Sequence, residues 1–175
     1  MKQNKKVLFI TQAAVIAALY VVLTHLSNAL GLASGAIQVR ISEVLTILPF
    51  FTPAAIPGLY VGCLLSNLTC GCAPWDIVFG SLATLLGALG TYAIRKKLPD
   101  WCACIPPILA NTLIVPFVIY YVYPLEPVSL FGKEIAPTIP IFMVTVCIGE
   151  VIACGIFGVI FLKALKRNRK ALFQA

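Results

Sequence analysis

A few side chains in this chain can do chemistry, and they stand where charge is expensive. Arg40 and Glu43 lie three residues apart at the head of an apolar run, and no further charge follows until Asp76. Glu150 lies between Gly149 and Val151 inside another such run. An acid within hydrocarbon costs about 2.5–3.5 kcal/mol on insertion scales, and such residues mark function by default. Asn67 and Asn111 add amide donors and acceptors to neighbouring apolar segments. Three acids against one arginine make a net acidic site, suited to a cationic ligand or one rich in N–H donors. A carboxylate receives paired N–H donors well, and a cation also sits on aromatic faces.

Each of these residues also has a plainer reading. Arg40 and Glu43 stand at helical i, i+3 spacing and can pair with each other. Asn67 and Asn111 can bind helix to helix. Asp76 follows Pro74-Trp75 and suits a helix N-terminus. Trp75 and Tyr123 suit headgroup depth, as interfacial rings do. His25 reads as a satisfied interfacial residue.

Other chemistries are poorly served. No G-x-x-x-x-G-K-[ST] run exists, so the chain builds no phosphate-binding loop of its own. A single histidine rules out H-E-x-x-H and most histidine metal sites. Seven cysteines are present; Cys63, Cys147 and Cys154 lie in apolar runs as small hydrophobes. Cys70-Gly-Cys72 and Cys102-Ala-Cys104 have the wrong spacing for a C-x-x-C site. The expectation is a ligand-binding protein, not an enzyme, with no cofactor or metal in this chain.

The elements that position these residues follow from composition. The 175 residues are 61% hydrophobic and 11% charged, with a mean hydropathy of +1.00. Soluble domains are nearer 45–50% apolar and about 25% charged. The expected fold class is an all-α integral membrane protein in a single membrane domain, 1–175. Apolar segments read as spans at 7–28, 76–94, 102–123 and 138–163. The stretch 41–70 would run ~45 Å as one helix, against a hydrocarbon core of about 30 Å. It carries Pro49, Pro53 and Pro57, so it divides near Thr52–Ala54 into spans 41–53 and 54–70.

Charge sidedness supports six spans. Basic groups sit at Lys2, Lys5 and Lys6, at Arg95–Lys97, and from Lys163 to Lys170. Six spans put all three groups, and both termini, on the cytoplasmic side. The net charge of +7 then reads as topology and not as nucleic-acid binding. The polar residues collect at the outer ends of the spans, around an outward-facing pocket. The loop 29–39, with Gly31, Ser34 and Gly35, is a candidate lid. Ala13, Ala14, Ala17 and Ala18 give two Ala-x-x-x-Ala patterns on the first span, spacing that lets another helix approach closely.

Four stretches carry a resemblance over nearly the whole chain. They are QVRISEVLTILPFFTPAAIPGLYVGCLLSN (38–67), DIVFGSLATLLGALGTYAIRKK (76–97), PPILANTLIVPFVIYYVY (106–123) and GEVIACGIFG (149–158). With the alanine pattern, they resemble the substrate-binding (S) components of energy-coupling-factor transporters, and among these the QueT family. The resemblance implies capture of a queuosine precursor, 7-aminomethyl-7-deazaguanine, from outside a bacterial cytoplasmic membrane. It implies docking through Ala13, Ala14, Ala17 and Ala18 onto a membrane coupling protein. Two partner ATPase subunits would then use ATP and Mg. Glu150 and Glu43 would supply acidic contacts, with Asp76 close by. Arg40, Asn67 and Asn111 would orient the base, and Trp75 or Tyr121 would stack on it. The alternatives are another vitamin-like or nucleobase-like substrate, or an ion-coupled small-solute carrier.

Overall fold

The computed structural model describes residues 4–32, 37–125, 127–130 and 132–167. Lys2, Ser34, Gly35, Arg169 and Lys170, which entered the topology and lid readings, lie outside the described residues. The chain is mostly helical. Helix α1 spans Lys5–Ala29, and the Asn4 side chain caps it by accepting from the Lys6 amide at 3.1 Å. A 3₁₀ helix, Ile41–Phe50, leads to α2, Ala55–Thr69. Helix α3, Pro74–Ile94, starts with proline in its first turn, where the missing N–H is unneeded. A short 3₁₀ turn, Asp100–Cys104, runs into α4, Ile105–Val122. A small antiparallel hairpin joins β1, Val128–Leu130, to β2, Lys133–Ile135. Helix α5, Ile139–Glu150, then continues through a π-helical stretch, Val151–Gly158, into α6, Val159–Arg167.

Four of these helical stretches are long and apolar enough to cross a membrane: Lys5–Ala29, Pro74–Ile94, Asp100–Val122 and Ile139–Arg167. Ile41–Phe50 and Ala55–Thr69 are apolar but shorter. Ten 3₁₀ residues rise about 20 Å, and fifteen α residues about 22 Å. For these two, the six-span expectation therefore rests on charge sidedness and not on length.

The 3₁₀ helix sits at the centre of the bundle. Ser42, Glu43, Leu45, Thr46, Ile47, Leu48 and Pro49 are all buried. Ile47 packs with Tyr20, Leu59, Cys154 and Leu162 in one apolar cluster. A 3₁₀ run of ten residues is far longer than the usual three or four. Pro49 lies within it, where the missing N–H removes a ladder bond. The prolines that break the 41–70 stretch act here and at the 51–54 interruption.

Helices α1 and α2 pack at backbone distance. A Cβ added at Gly58 would stand 2.7 Å from the Ala13 carbonyl oxygen, and one at Gly62 would stand 2.8 Å from the Tyr20 Cβ. The far end of α6 is tied down by an ion pair between Lys166 and Asp100.

Candidate functional site

The site begins with a seam between α1 and the 3₁₀ helix. The Tyr20 hydroxyl donates to Glu43 Oε1 at 2.5 Å. Thr24 donates to the Ser42 hydroxyl at 2.9 Å, and the Ile41 amide donates to Ser27 Oγ at 2.8 Å. Tyr20, Thr24 and Ser27 recur at i, i+4 and i+7, so they share one helix face. All three are buried. Reading charges alone missed them, although a polar stripe at that spacing in an apolar helix was visible.

The seam aims Glu43 into a narrow inner chamber of about 40 Å³. Arg40, Glu43, Asp76, Asn111 and Glu150 line it together. Four elements, the 3₁₀ helix with its N-cap, α3, α4 and α5, thus deliver five of the predicted residues to one place. Asn111 Nδ2 donates to Glu150 Oε1 at 2.9 Å. Glu43 Oε2 and Glu150 Oε2 are buried and make no hydrogen bond among the described residues. Charged groups in a dry interior are ordinarily paired, so two unpaired carboxyl oxygens in one chamber mark it as the candidate site.

Arg40 and Glu43 do not form the local pair that their spacing permits. Arg40 Nη1 donates to Asn67 Oδ1 at 3.3 Å, while Glu43 is taken by Tyr20. Asn67 thereby holds the arginine at the rim of the chamber. Gly80 makes room here, because a Cβ would stand 3.1 Å from Asn67 Nδ2 and 3.2 Å from Asp76 Oδ1. Asp76 lies in the first turn of α3, but the helix has no side-chain cap. Its Oδ2 instead accepts from the Tyr123 hydroxyl at 2.8 Å, and that hydroxyl accepts from the Ala73 amide at 3.2 Å.

The chamber opens into a wider vestibule of about 690 Å³. Gln38, Arg40, Asp76 and Val115 line both spaces and so form the neck between them. Gln38 is held against α5 at Gly149, where an added Cβ would collide with the Gln38 carbonyl oxygen. The described part of the 29–39 loop is anchored by the Leu32 amide on the Ser27 carbonyl and the Val39 amide on the Leu32 carbonyl, both at 2.9 Å.

Trp75 and Tyr121 require a correction. Both are well exposed, at 62% and 74%, and they line a separate apolar groove between α3 and α4 with Phe79 and Phe117. Trp75 stacks on Phe79 with ring centroids 6.1 Å apart. The cause is helical pitch. Each residue turns the helix by about 100°, so when Asp76 points inward its neighbour Trp75 points away. Tyr123, two residues beyond Tyr121, takes the place beside the cavity.

The four alanines also separate. Ala17 is buried and Ala13 half-buried, both against α2, whereas Ala14 and Ala18 are exposed. His25 sits near the C-terminal end of α1, with Nε2 2.9 Å from the Thr69 hydroxyl. No group of three or more metal-ligating side chains occurs among the described residues.

Comparison with known proteins gives the family. The family described as QueT transporter matches residues 10–167. Over 87 residues the chain is 37% identical to the Queuosine precursor transporter QueT of Lactococcus lactis subsp. cremoris (strain MG1363). That match covers 49% of this chain and 50% of the relative, so the chain spans about half the length of the curated relative it matches. No solved structure matches.

Proposed function

The chain belongs to the QueT transporter family, and on that premise we propose that it captures a queuosine precursor from outside the membrane. The ligand is 7-aminomethyl-7-deazaguanine, and the chain is the substrate-binding (S) component of an energy-coupling-factor importer. Six spans, two of them short, place both termini inside and the vestibule outside.

One observation carries this reading: the two unpartnered carboxylate oxygens, Glu43 Oε2 and Glu150 Oε2, in a chamber shared with Asn111 and Arg40. The ligand is a monocation with a guanine-like edge of adjacent N–H donors. The site holds three acids against one arginine, so it attracts a cation. Tyr20 already occupies one oxygen of Glu43, and Asn111 one oxygen of Glu150. Each acid offers one open oxygen, so the ligand's donors divide between the two. Arg40 at the neck supplies the donor for the ligand's carbonyl. The base waits in the vestibule, and its donor edge enters the chamber as the side chains part.

The chain has no phosphate-binding loop, so uphill uptake draws on ATPase partners through a coupling protein. Ala14 and Ala18 are the exposed small residues of α1, and they form the docking face.

The test is calorimetric titration of the purified protein with 7-aminomethyl-7-deazaguanine, with guanine and thiamine as controls. Selective saturable binding that falls sharply in Glu150→Gln is expected. Folded protein that gives no heat with the precursor would overturn the substrate assignment. Uptake that proceeds in vesicles lacking ATPase partners would replace the S-component reading with an ion-coupled carrier.

A further inference from the structure

The turn between α2 and α3 carries chemistry that ligand capture does not use. Helix α2 ends with the Gly71 amide on the Leu68 carbonyl at 3.2 Å and the Cys72 amide on the Asn67 carbonyl at 3.0 Å. Such an ending needs a left-handed residue just past the helix, and Gly71 takes it at φ 72°. Cys70 and Cys72 flank that glycine. Two residues of extended chain span about 6.6–7.2 Å, at the outer limit of the 4.4–6.8 Å that a disulfide allows between Cα atoms. The left-handed turn at Gly71 folds the chain back and shortens that span. Nothing lies within 4 Å of the position a Gly71 Cβ would take, so the turn has room to adjust.

The thiols are also differently placed. Cys70 Sγ accepts from Asn28 Nδ2 at 2.9 Å and lies 3.8 Å from His25 Nδ1. Both partners belong to the outer end of α1. Cys72 faces Asp76, and burial, with that acid adding to it, raises its thiol. Cys70, Cys72 and Asn28 all line the vestibule.

We propose that Cys70-Gly71-Cys72 is a thiol–disulfide site on the vestibule mouth, oxidised by disulfides reaching it from outside. The Cys70 thiolate attacks an external R–S–S–R, whose sulfur–sulfur bond breaks to release one R–S⁻ and leave a mixed disulfide. Cys72 gives up its proton, attacks Cys70 Sγ and expels the second R–S⁻. The protein loses two electrons and two protons, and the reagent becomes two thiols. Closing the ring draws Cys70 Sγ off Asn28 and His25, which frees the end of α1 where the 29–39 loop begins.

The chemistry of the pair stands without the transport reading; its effect on ligand rests on that reading. The test treats the purified protein with 5,5′-dithiobis(2-nitrobenzoic acid) and subtracts the Cys70→Ser/Cys72→Ser protein as background. The expected result is two thionitrobenzoate anions per chain, with a peptide containing residues 70–72 that is two hydrogens lighter and carries no adduct. Cys72→Ser should release one anion and keep the adduct on Cys70. A lasting adduct on wild-type Cys70, or no reaction there, would overturn the proposal, and the wild-type peptide mass reads this without any variant. Oxidised protein should bind 7-aminomethyl-7-deazaguanine less tightly by up to about tenfold, the worth of one hydrogen bond, with recovery in dithiothreitol. Unchanged affinity in protein proven to hold the disulfide would overturn the effect on the mouth. If the reduced protein also fails to bind, the failure belongs to the substrate reading and not to the thiols.

Discussion

Glu43 and Glu150 are set apart from the other acid by what they lack. Asp76 has Tyr123 at 2.8 Å, whereas each glutamate keeps one buried oxygen unmet. A hydrogen bond to a charged group is worth about 1.5–3 kcal/mol. Glu150→Gln should therefore weaken precursor binding about 10- to 100-fold by calorimetry, with the melting temperature held or raised. Tyr20→Phe removes the donor on Glu43 and leaves a second oxygen stranded. It should weaken binding about tenfold, and an affinity equal to wild type would deny Tyr20 its positioning role.

Between elements, small residues decide what can touch. Gly58 and Gly62 let α2 lie on the backbone of α1 at Ala13 and Ala17. Ala14 and Ala18 turn outward. The two overlapping alanine patterns thus have separate duties, one inside the bundle and one facing outward. Gly62→Leu should overpack the α1–α2 contact, destabilise the protein by about 1–3 kcal/mol and lower its thermal midpoint in detergent. Ala18→Trp should leave that midpoint and precursor binding unchanged, yet prevent co-purification with a coupling protein. Loss of stability in Ala18→Trp would place that face inside the bundle. The 3₁₀ and π-helical stretches meet through Thr46, whose hydroxyl lies 3.1 Å from Cys154 Sγ. Glu43 lies in the first and Glu150 adjoins the second, so the two acids sit at the least regular helices of the fold.

The whole molecule is organised by sidedness. The polar chamber and vestibule sit toward one end of the bundle, and the Lys166–Asp100 ion pair ties the opposite end. Reconstituted vesicles check the orientation. Single cysteines placed beside Lys5 and Lys163, in a cysteine-free background, should resist an impermeant maleimide added outside. Labelling at either site would invert the six-span topology.

Much of this was written in the sequence, because the membrane imposes simple rules. Hydrophobic length, proline breaks and basic clusters state how many apolar helices there are and where they end. The price of intramembrane charge singles out Arg40, Glu43, Asp76 and Glu150 before any fold is known. What the sequence could not state was direction and partnership. Adjacent residues on a helix point about 100° apart, so whether Trp75 or Asp76 enters the cavity depends on the rotation of α3, which packing sets. Tyr20 reaches Glu43 across 23 positions of chain, and Asn111 reaches Glu150 across 39. Those hydrogen bonds, and the two oxygens left open between them, exist only once the helices are packed.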